Sequence, residues 1–350
     1  MHLSRYGIAV LVLFLASHAI ASPRPVIIDT DPGTDDSIAI LLALRSPELA
    51  VRALTVVPGN VTAARGLDNA RRLVSLARRC DVRVAAGATR PLVGTLVTGE
   101  AWHGKNGLGD VELPPPVCPV DKAWGPDLII EAVHAAPHEI TLITLGPLTN
   151  IALAVEKDPT IVPLVKDIFV MGGSLSGGNI TSAAEFNIHV DPEAAQIVFN
   201  AGWRVTMVGL DVCHKTLLTR ERLHSLAAAQ GAVGRFVYAV GEFLLHGAEQ
   251  RGANGSAMYD PLTVGVAIDP TLVETALMHI DVETAGEFTR GETVANRHGT
   301  KQIPEMLSSP DGSRYAYLGK TETVAPNSAV AVEVHAERFL DLLLARLRDP

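Results

Sequence analysis

Short apolar runs alternate along the chain with longer amphipathic or wholly apolar stretches. Val26-Ile27-Ile28 is β-branched and apolar without alternation, as a strand buried on both faces of a parallel sheet requires. Ser37 to Leu44 then reads as a helix, with Thr34 as its N-cap and Asp35 and Asp36 in its first turn. The order repeats: Ala53 to Val57 precedes a helix from about Ala63 to Arg79, and Ile140 to Leu145 precedes a helix beginning at Ile151. A further helix runs from about Pro126 to Ala135. Asp167 to Met171 and Val205 to Leu210 read as strands, and helices are expected from about Arg222 to Ala229, from about Val233 to Ala248 and after Tyr259. Beyond about Thr271 the pattern weakens. His279 to Glu283 and Ser328 to Val334 read as strands, Arg297 to Gly312 as a loop, and Ala336 to Arg348 as a closing helix. The expected fold is α/β, an open, mostly parallel sheet flanked by helices in a single domain.

The chemistry concentrates where the first strand breaks. Asp29-Thr30-Asp31-Pro32-Gly33-Thr34-Asp35-Asp36 places four carboxylates in one strand-to-helix turn. Carboxylates about 4 Å apart repel by roughly 4 kcal/mol per pair at an effective dielectric near 20, so several converging there require a positive partner. A helix N-terminus supplies only about half a unit charge. A hard divalent cation with oxygen ligands answers the need, and calcium tolerates an irregular carboxylate shell better than magnesium. An EF-hand is excluded, because Pro32 and Gly33 fall at the wrong positions and no glutamate closes a twelve-residue loop. Haloacid-dehalogenase phosphatases also carry a D-x-D at a strand end, but with Thr or Val where Gly33 stands.

Other strand ends carry polar residues too. Asn60 follows Pro58-Gly59, and Gly146-Pro147-Leu148-Thr149-Asn150 follows Leu145. Trp102-His103-Gly104-Lys105-Asn106-Gly107-Leu108-Gly109-Asp110 is glycine-rich and aperiodic, a mobile loop with glycine hinges. Asn179 and Ala183-Ala184-Glu185-Phe186-Asn187 lie in a loop after Gly172-Gly173. There Glu185 and Asn187, at alternating positions of an extended segment, point the same way, while Asp191 before Pro192 is a helix cap. Asp211 and His214 end another strand, and Tyr259-Asp260-Pro261 opens a helix.

Taken together, these segments resemble the calcium-dependent nucleoside hydrolases, the inosine-uridine-preferring family, over roughly residues 25 to 265. The resemblance implies a nucleoside-hydrolase-like fold. It also implies hydrolysis of an N-ribosyl bond to free base and ribose by a calcium-bound water, with Asp31 as general base. Calcium would be held by Asp31, Asp36, Asp260 and the backbone carbonyl of Leu145. Asp35 would hold the ribose 2′-hydroxyl, Asn187 the 2′- and 3′-hydroxyls, and Asn179 and Glu185 the 5′-hydroxyl. Asn60 and Asp260 would also touch the ribose, and His103 the sugar or base. Asp211 and His214 would form a supporting shell. Tyr259 departs from the family, which often has histidine there to protonate the leaving base. A phenol with an ordinary pKa near 10 is a poor general acid at neutral pH, whereas its ring can stack on a base and favour purines.

Composition and termini narrow the setting. Arg5 precedes an apolar run from Gly7 to Ala16, and Ala19-Ile20-Ala21 is a small-x-small cleavage site. Residues 1–21 therefore read as a signal peptide and residues 22–350 as the hydrolase domain of an exported, periplasmic or secreted protein. Nothing after residue 21 is apolar for long enough to span a membrane. The net charge of -9 and the lack of a basic cluster argue against a nucleic-acid polymer and leave a small nucleoside as the substrate. A homo-oligomer, dimer or tetramer, is expected. Cys80, Cys118 and Cys213 permit one disulfide but match no metal motif, and they read as ordinary buried cysteines. Asn60-Val61-Thr62 and Asn179-Ile180-Thr181 are glycosylation sequons whose asparagines are both pocket candidates, which favours a bacterial periplasm over a eukaryotic secretory route. Two other readings use the same residues: a non-catalytic calcium-dependent nucleoside or ribose binder, and a metal-dependent phosphatase, for which no phosphate-binding lysine is in place.

Overall fold

The computed structural model describes residues 22–348, so the expected signal peptide at 1–21 lies outside the described residues. The strands are β1 (Arg24–Thr30), β2 (Leu49–Val56), β3 (Arg83–Ala86), β4 (Thr141–Thr144), β5 (Asp167–Met171), β6 (Val205–Val208), β7 (Leu217–Leu218), β8 (Ser256–Ala257), β9 (Val273–Val282), β10 (Thr293–Asn296), β11 (Thr300–Ser308), β12 (Arg314–Thr323) and β13 (Ser328–Val334). Nine of them form one sheet in the order β10-β9-β13-β6-β5-β4-β1-β2-β3. Its pairings are parallel from β3 through to β13, and antiparallel only where β9 meets β13 and β10 meets β9. Helices cover both faces. Val26 and Ile28 pack into one apolar cluster and Ile27 into the other, which is why β1 shows no alternation.

This topology positions the site. From β1 the chain steps outward through β2 and β3, then returns to β4 on the other side of β1 and steps the opposite way through β5 and β6. The connections leaving β1 and β4 diverge, and they open a crevice at the carboxyl ends of those strands, the usual ligand position in open α/β sheets. The acid-rich turn sits in that crevice. The helix that follows it, Thr34–Leu44, is buried along its whole length and packs against the helices Ala63–Leu76, Ala232–Gln250 and Tyr259–Ile268. Truncating a fully buried member such as Leu41 to alanine would cost about 2–5 kcal/mol.

Several expectations are corrected. Thr34 is the first helical residue and Gly33 the cap, because the Asp36 carboxylate accepts the Gly33 N–H at 3.0 Å while the Thr34 hydroxyl turns to His103. Glu185 and Asn187 do not lie on an extended segment. Glu185 caps a short helix, Phe186–Val190, its carboxylate accepting the N–H groups of Asn187 and Ile188. Glu100–His103 forms one helical turn that takes in the first two residues of the expected loop. The helix placed at 222–229 is shorter and earlier, Arg220–His224, since Thr219 caps it. The segment 297–312 is no loop: β11 pairs with β12 as an antiparallel hairpin projecting from the sheet. Asp191 is a helix cap as expected, accepting the Ala194 N–H at 3.1 Å.

The cysteines are corrected as well. Cys80 and Cys118 form a disulfide with Cα atoms 5.1 Å apart, and only Cys213 is free and buried. The helix Ala63–Leu76 brings the two ends together. Its Ser75 hydroxyl accepts the Val117 and Cys118 N–H groups, and Arg71 donates to the Cys118 carbonyl. Among the described residues no helix is long and apolar enough to cross a membrane.

Candidate active site

Two helices point their N-termini at the crevice. Thr34–Leu44 brings Asp35 and Asp36, and Tyr259–Ile268 brings Asp260, so residues far apart in sequence place three carboxylates within 4.8 Å of one another. Asp31, from the turn before the first helix, lies close enough to feel the charges of Asp35 and Asp36. Asp31, Asp36 and Asp260 are almost wholly buried. The two helix dipoles offset part of this negative charge.

Each carboxylate is held from a particular side. Asp31 Oδ2 accepts the Asn60 backbone N–H at 2.6 Å. Asp36 Oδ1 accepts the Thr30 hydroxyl at 2.5 Å, and its Oδ2 accepts the Asn60 side-chain amide at 2.8 Å. Asn60 therefore braces two acids from the end of β2. The walls around Asp31 have no room for side chains: a Cβ on Gly59 would fall 2.1 Å from its Oδ2, and one on Gly146 would fall 2.4 Å from its Oδ1. Beneath it, Asp29 Oδ1 accepts the Thr55 hydroxyl and the Asn150 amide at 2.5 and 2.8 Å, tying β1, β2 and the helix after β4 together.

The electrostatics are those of a cation site. Burial first, then mutual repulsion, pushes Asp31 and Asp260 well above the usual carboxylate range and Asp35 up to about 7. Asp31 Oδ1 and Asp35 Oδ1 are buried without a hydrogen-bond partner. Buried acids that repel one another, with unpartnered oxygens among only oxygen donors, fit a hard divalent cation.

The remaining candidates line a cavity of about 470 Å³ above these acids, within the range of small-molecule pockets. Asn187 donates to the Leu145 carbonyl at 2.8 Å and the Met171 carbonyl at 3.2 Å, joining the ends of β4 and β5. Glu185 accepts the Gly173 and Ile188 N–H groups, both at 3.1 Å, yet burial raises its pKa to about 7. Asn179 stands at the exposed rim, its carbonyl oxygen accepting the Phe186 N–H at 2.9 Å. His103 Nδ1 accepts the Thr34 N–H at 3.1 Å, so its proton is assigned to Nε2. Burial lowers its pKa to about 4, and the ring is neutral at neutral pH. Burial and nearby carboxylates raise the Tyr259 phenol above its ordinary value, which makes it a still weaker acid.

Asp211 and His214 separate. Asp211 accepts the Leu175 N–H at 2.7 Å and the Ser176 hydroxyl at 3.1 Å, bracing the loop that leads to Asn179. His214 lines the cavity itself, edge-on to the Tyr259 ring at 5.8 Å. Two cavity residues carried no expectation of their own: Trp102, the first residue of the glycine-rich segment and part of the one-turn helix, and Arg251, at the end of Ala232–Gln250. They meet across the mouth, the guanidinium 4.9 Å from the indole centroid. Only folding brings them together.

A sheet crevice with converging buried acids whose oxygens suit a hard cation, below a cavity walled by amides and aromatic rings, is the site of a metal-assisted hydrolase of a small polar substrate. The chain belongs to the inosine-uridine preferring nucleoside hydrolase family, whose model matches residues 26–341, well beyond the point near 265 where the motif resemblance fades. It is a hydrolase of N-glycosyl bonds, a ribonucleoside hydrolase. A pyrimidine-specific ribonucleoside hydrolase, RihA, of Salmonella newport (strain SL254) is 38% identical over 327 residues, covering 93% of this chain and 98% of that one. The plant nucleoside hydrolase PpNRh1 superposes with a TM-score of 0.84 at 36% identity, covering 94% of this chain and 100% of the other. The purine-preferring ribonucleoside hydrolase of Gardnerella vaginalis gives a TM-score of 0.81 at 32% identity, covering 93% and 98%.

Proposed function

We propose that the protein cleaves ribonucleosides to free base and ribose with calcium as its metal, held by Asp31, Asp36, Asp260 and the Leu145 carbonyl, and with Asp31 as general base. The observation that carries this reading is the Asp31 carboxylate: one oxygen fixed by the Asn60 N–H, the other buried and unpartnered, and glycines on both sides leaving it room. When bound, calcium supplies Lewis acidity that lowers the pKa of a water and grips the ribose diol. Asp31 then takes the proton of the attacking water. Asp35 and Asn187 hold the ribose hydroxyls, Asn179 and Glu185 the 5′ end, and His103 and Tyr259 flank the base. The floor of negative charge favours an oxocarbenium-like sugar.

The test is release of ribose from purine and pyrimidine nucleosides, with calcium or chelator, by the wild type and Asp31→Ala. Turnover that needs calcium and falls by about 10²–10⁴ in the variant supports the reading. Tight calcium and nucleoside binding without turnover would establish the non-catalytic binder instead. Export belongs to the same proposal, supported by a disulfide, which persists in oxidising compartments, together with the signal-like residues 1–21. So does assembly as a dimer or tetramer, supported by a projecting hairpin that exposes Ile303, Met306 and Leu307 and tested by sedimentation.

A further inference from the structure

Cleavage of an N-glycosyl bond sends the bonding electron pair to the base, which must carry negative charge until it gains a proton. The acid that usually meets this need is missing at position 259. Tyr259 stands there instead, with His214 edge-on to its ring, and His103 Nδ1 is already occupied as the acceptor of the Thr34 N–H. One cavity group carries a permanent positive charge. Among the described residues lining the cavity, Arg251 is the sole arginine or lysine, and the other ionisable groups there are carboxylates, histidines and Tyr259. The described surface pairs many of its arginines with carboxylates, as at Arg79, Arg83, Arg220 and Arg290, but Arg251 forms no such ion pair there. Its guanidinium lies instead 4.9 Å from the centroid of the Trp102 ring, and its side chain makes no hydrogen bond among the described residues.

The charges are thus graded along the cavity: buried acids on the floor, one cation at the solvent-facing rim. With the sugar held at the acids, as proposed above, the base projects towards that rim. We propose that Arg251, steadied by Trp102, is the group that stabilises the departing base, donating to the carbonyl oxygen onto which the electron pair delocalises. The C1′–N bond breaks, its electron pair going to the base. Water adds to C1′, its proton passes to Asp31, and the base anion takes a proton from solvent. The preferred leaving groups are oxo-bases, since a donor-only guanidinium meets a carbonyl oxygen but faces the hydrogens of an exocyclic amine.

The inference rests on the proposed hydrolase reading, and a leaving-group comparison separates the two. Uridine and inosine are compared with 4-nitrophenyl β-D-ribofuranoside, whose leaving group needs little stabilisation. Assays use the wild type, Arg251→Ala, Arg251→Lys and Trp102→Ala, and calcium-induced thermal stabilisation checks that each variant is folded. For Arg251→Ala, kcat on the nucleosides should fall by about 10²–10³, the usual loss for one charge-stabilising donor, and far less on the nitrophenyl riboside. Arg251→Lys should recover part of the loss, and Trp102→Ala should show a smaller loss of the same kind. Equal losses on both substrate types, or none on the nucleosides, overturn the role of Arg251. A wild type inactive on every riboside overturns the hydrolase reading beneath it.

Discussion

Asp260→Asn tests whether the buried acids repel one another in the absence of metal. The substitution keeps the shape of the side chain and removes its charge, and the new amide can donate to Asp36. Asp35 and Asp36 each present an oxygen within 4.8 Å of Asp260. That separation corresponds to about 3.5 kcal/mol per ionised pair at an effective dielectric near 20. Protonation already relieves part of this, since Asp35 is pushed up to about 7 and Asp260 well above its ordinary range. Relief of one such ionised pair is worth on the order of 3 kcal/mol, or roughly 6 °C in melting temperature at ~2 °C per kcal/mol for a chain of this size. Thermal unfolding in a calcium chelator should therefore show the variant melting above the wild type. Calcium at about 100 times its Kd should raise the wild type by about 2.7 kcal/mol and leave the variant unmoved. A variant that melts at or below the wild type in chelator would refute the repulsion, and with it the electrostatic case for a cation.

Two further outcomes follow from the same groups and from the disulfide. Burial and repulsion raise the folded-state pKa values of Asp31, Asp35 and Asp260, so the metal-free protein binds more protons folded than unfolded. Stability in chelator is full below the unfolded carboxylate pKa near 4 and is lost as pH rises through about 7, so melting between pH 5 and 8 should decline, and calcium should flatten the slope. Reducing the Cys80–Cys118 bridge, which spans 38 residues, should cost about 4 kcal/mol in denaturant unfolding, whereas Cys213→Ser should not change sensitivity to reductant.

The parallel core was legible because strands buried on both faces leave unbroken β-branched runs, as at Val26-Ile27-Ile28 and Ile140 to Leu145. The acid turn was legible because like charges crowded so closely need a reason. The hairpin of β11 and β12 was hidden for the opposite reason: β11 is exposed along its length, so no alternation marks it. The helix Phe186–Val190 is too short for a period, and its cap is a glutamate in place of the usual Ser, Thr, Asp or Asn. The bridge from Cys80 to Cys118, the Asp29–Asn150 hydrogen bond and the Trp102–Arg251 contact are tertiary pairings, which local pattern cannot encode.

The acids that meet at the floor come from segments far apart in the chain: one helix follows β1, and the other precedes the last five strands, β9 to β13. They become a site only when the sheet has closed and the helices Thr34–Leu44 and Tyr259–Ile268 have docked on each other. Ion affinity is therefore a property of the finished fold and absent from any fragment holding only one of the two helices. A luminescent lanthanide, which favours the same oxygen donors, would act as a gauge of folding, silent on collapsed intermediates and lit only by chains whose two distant helices have found each other.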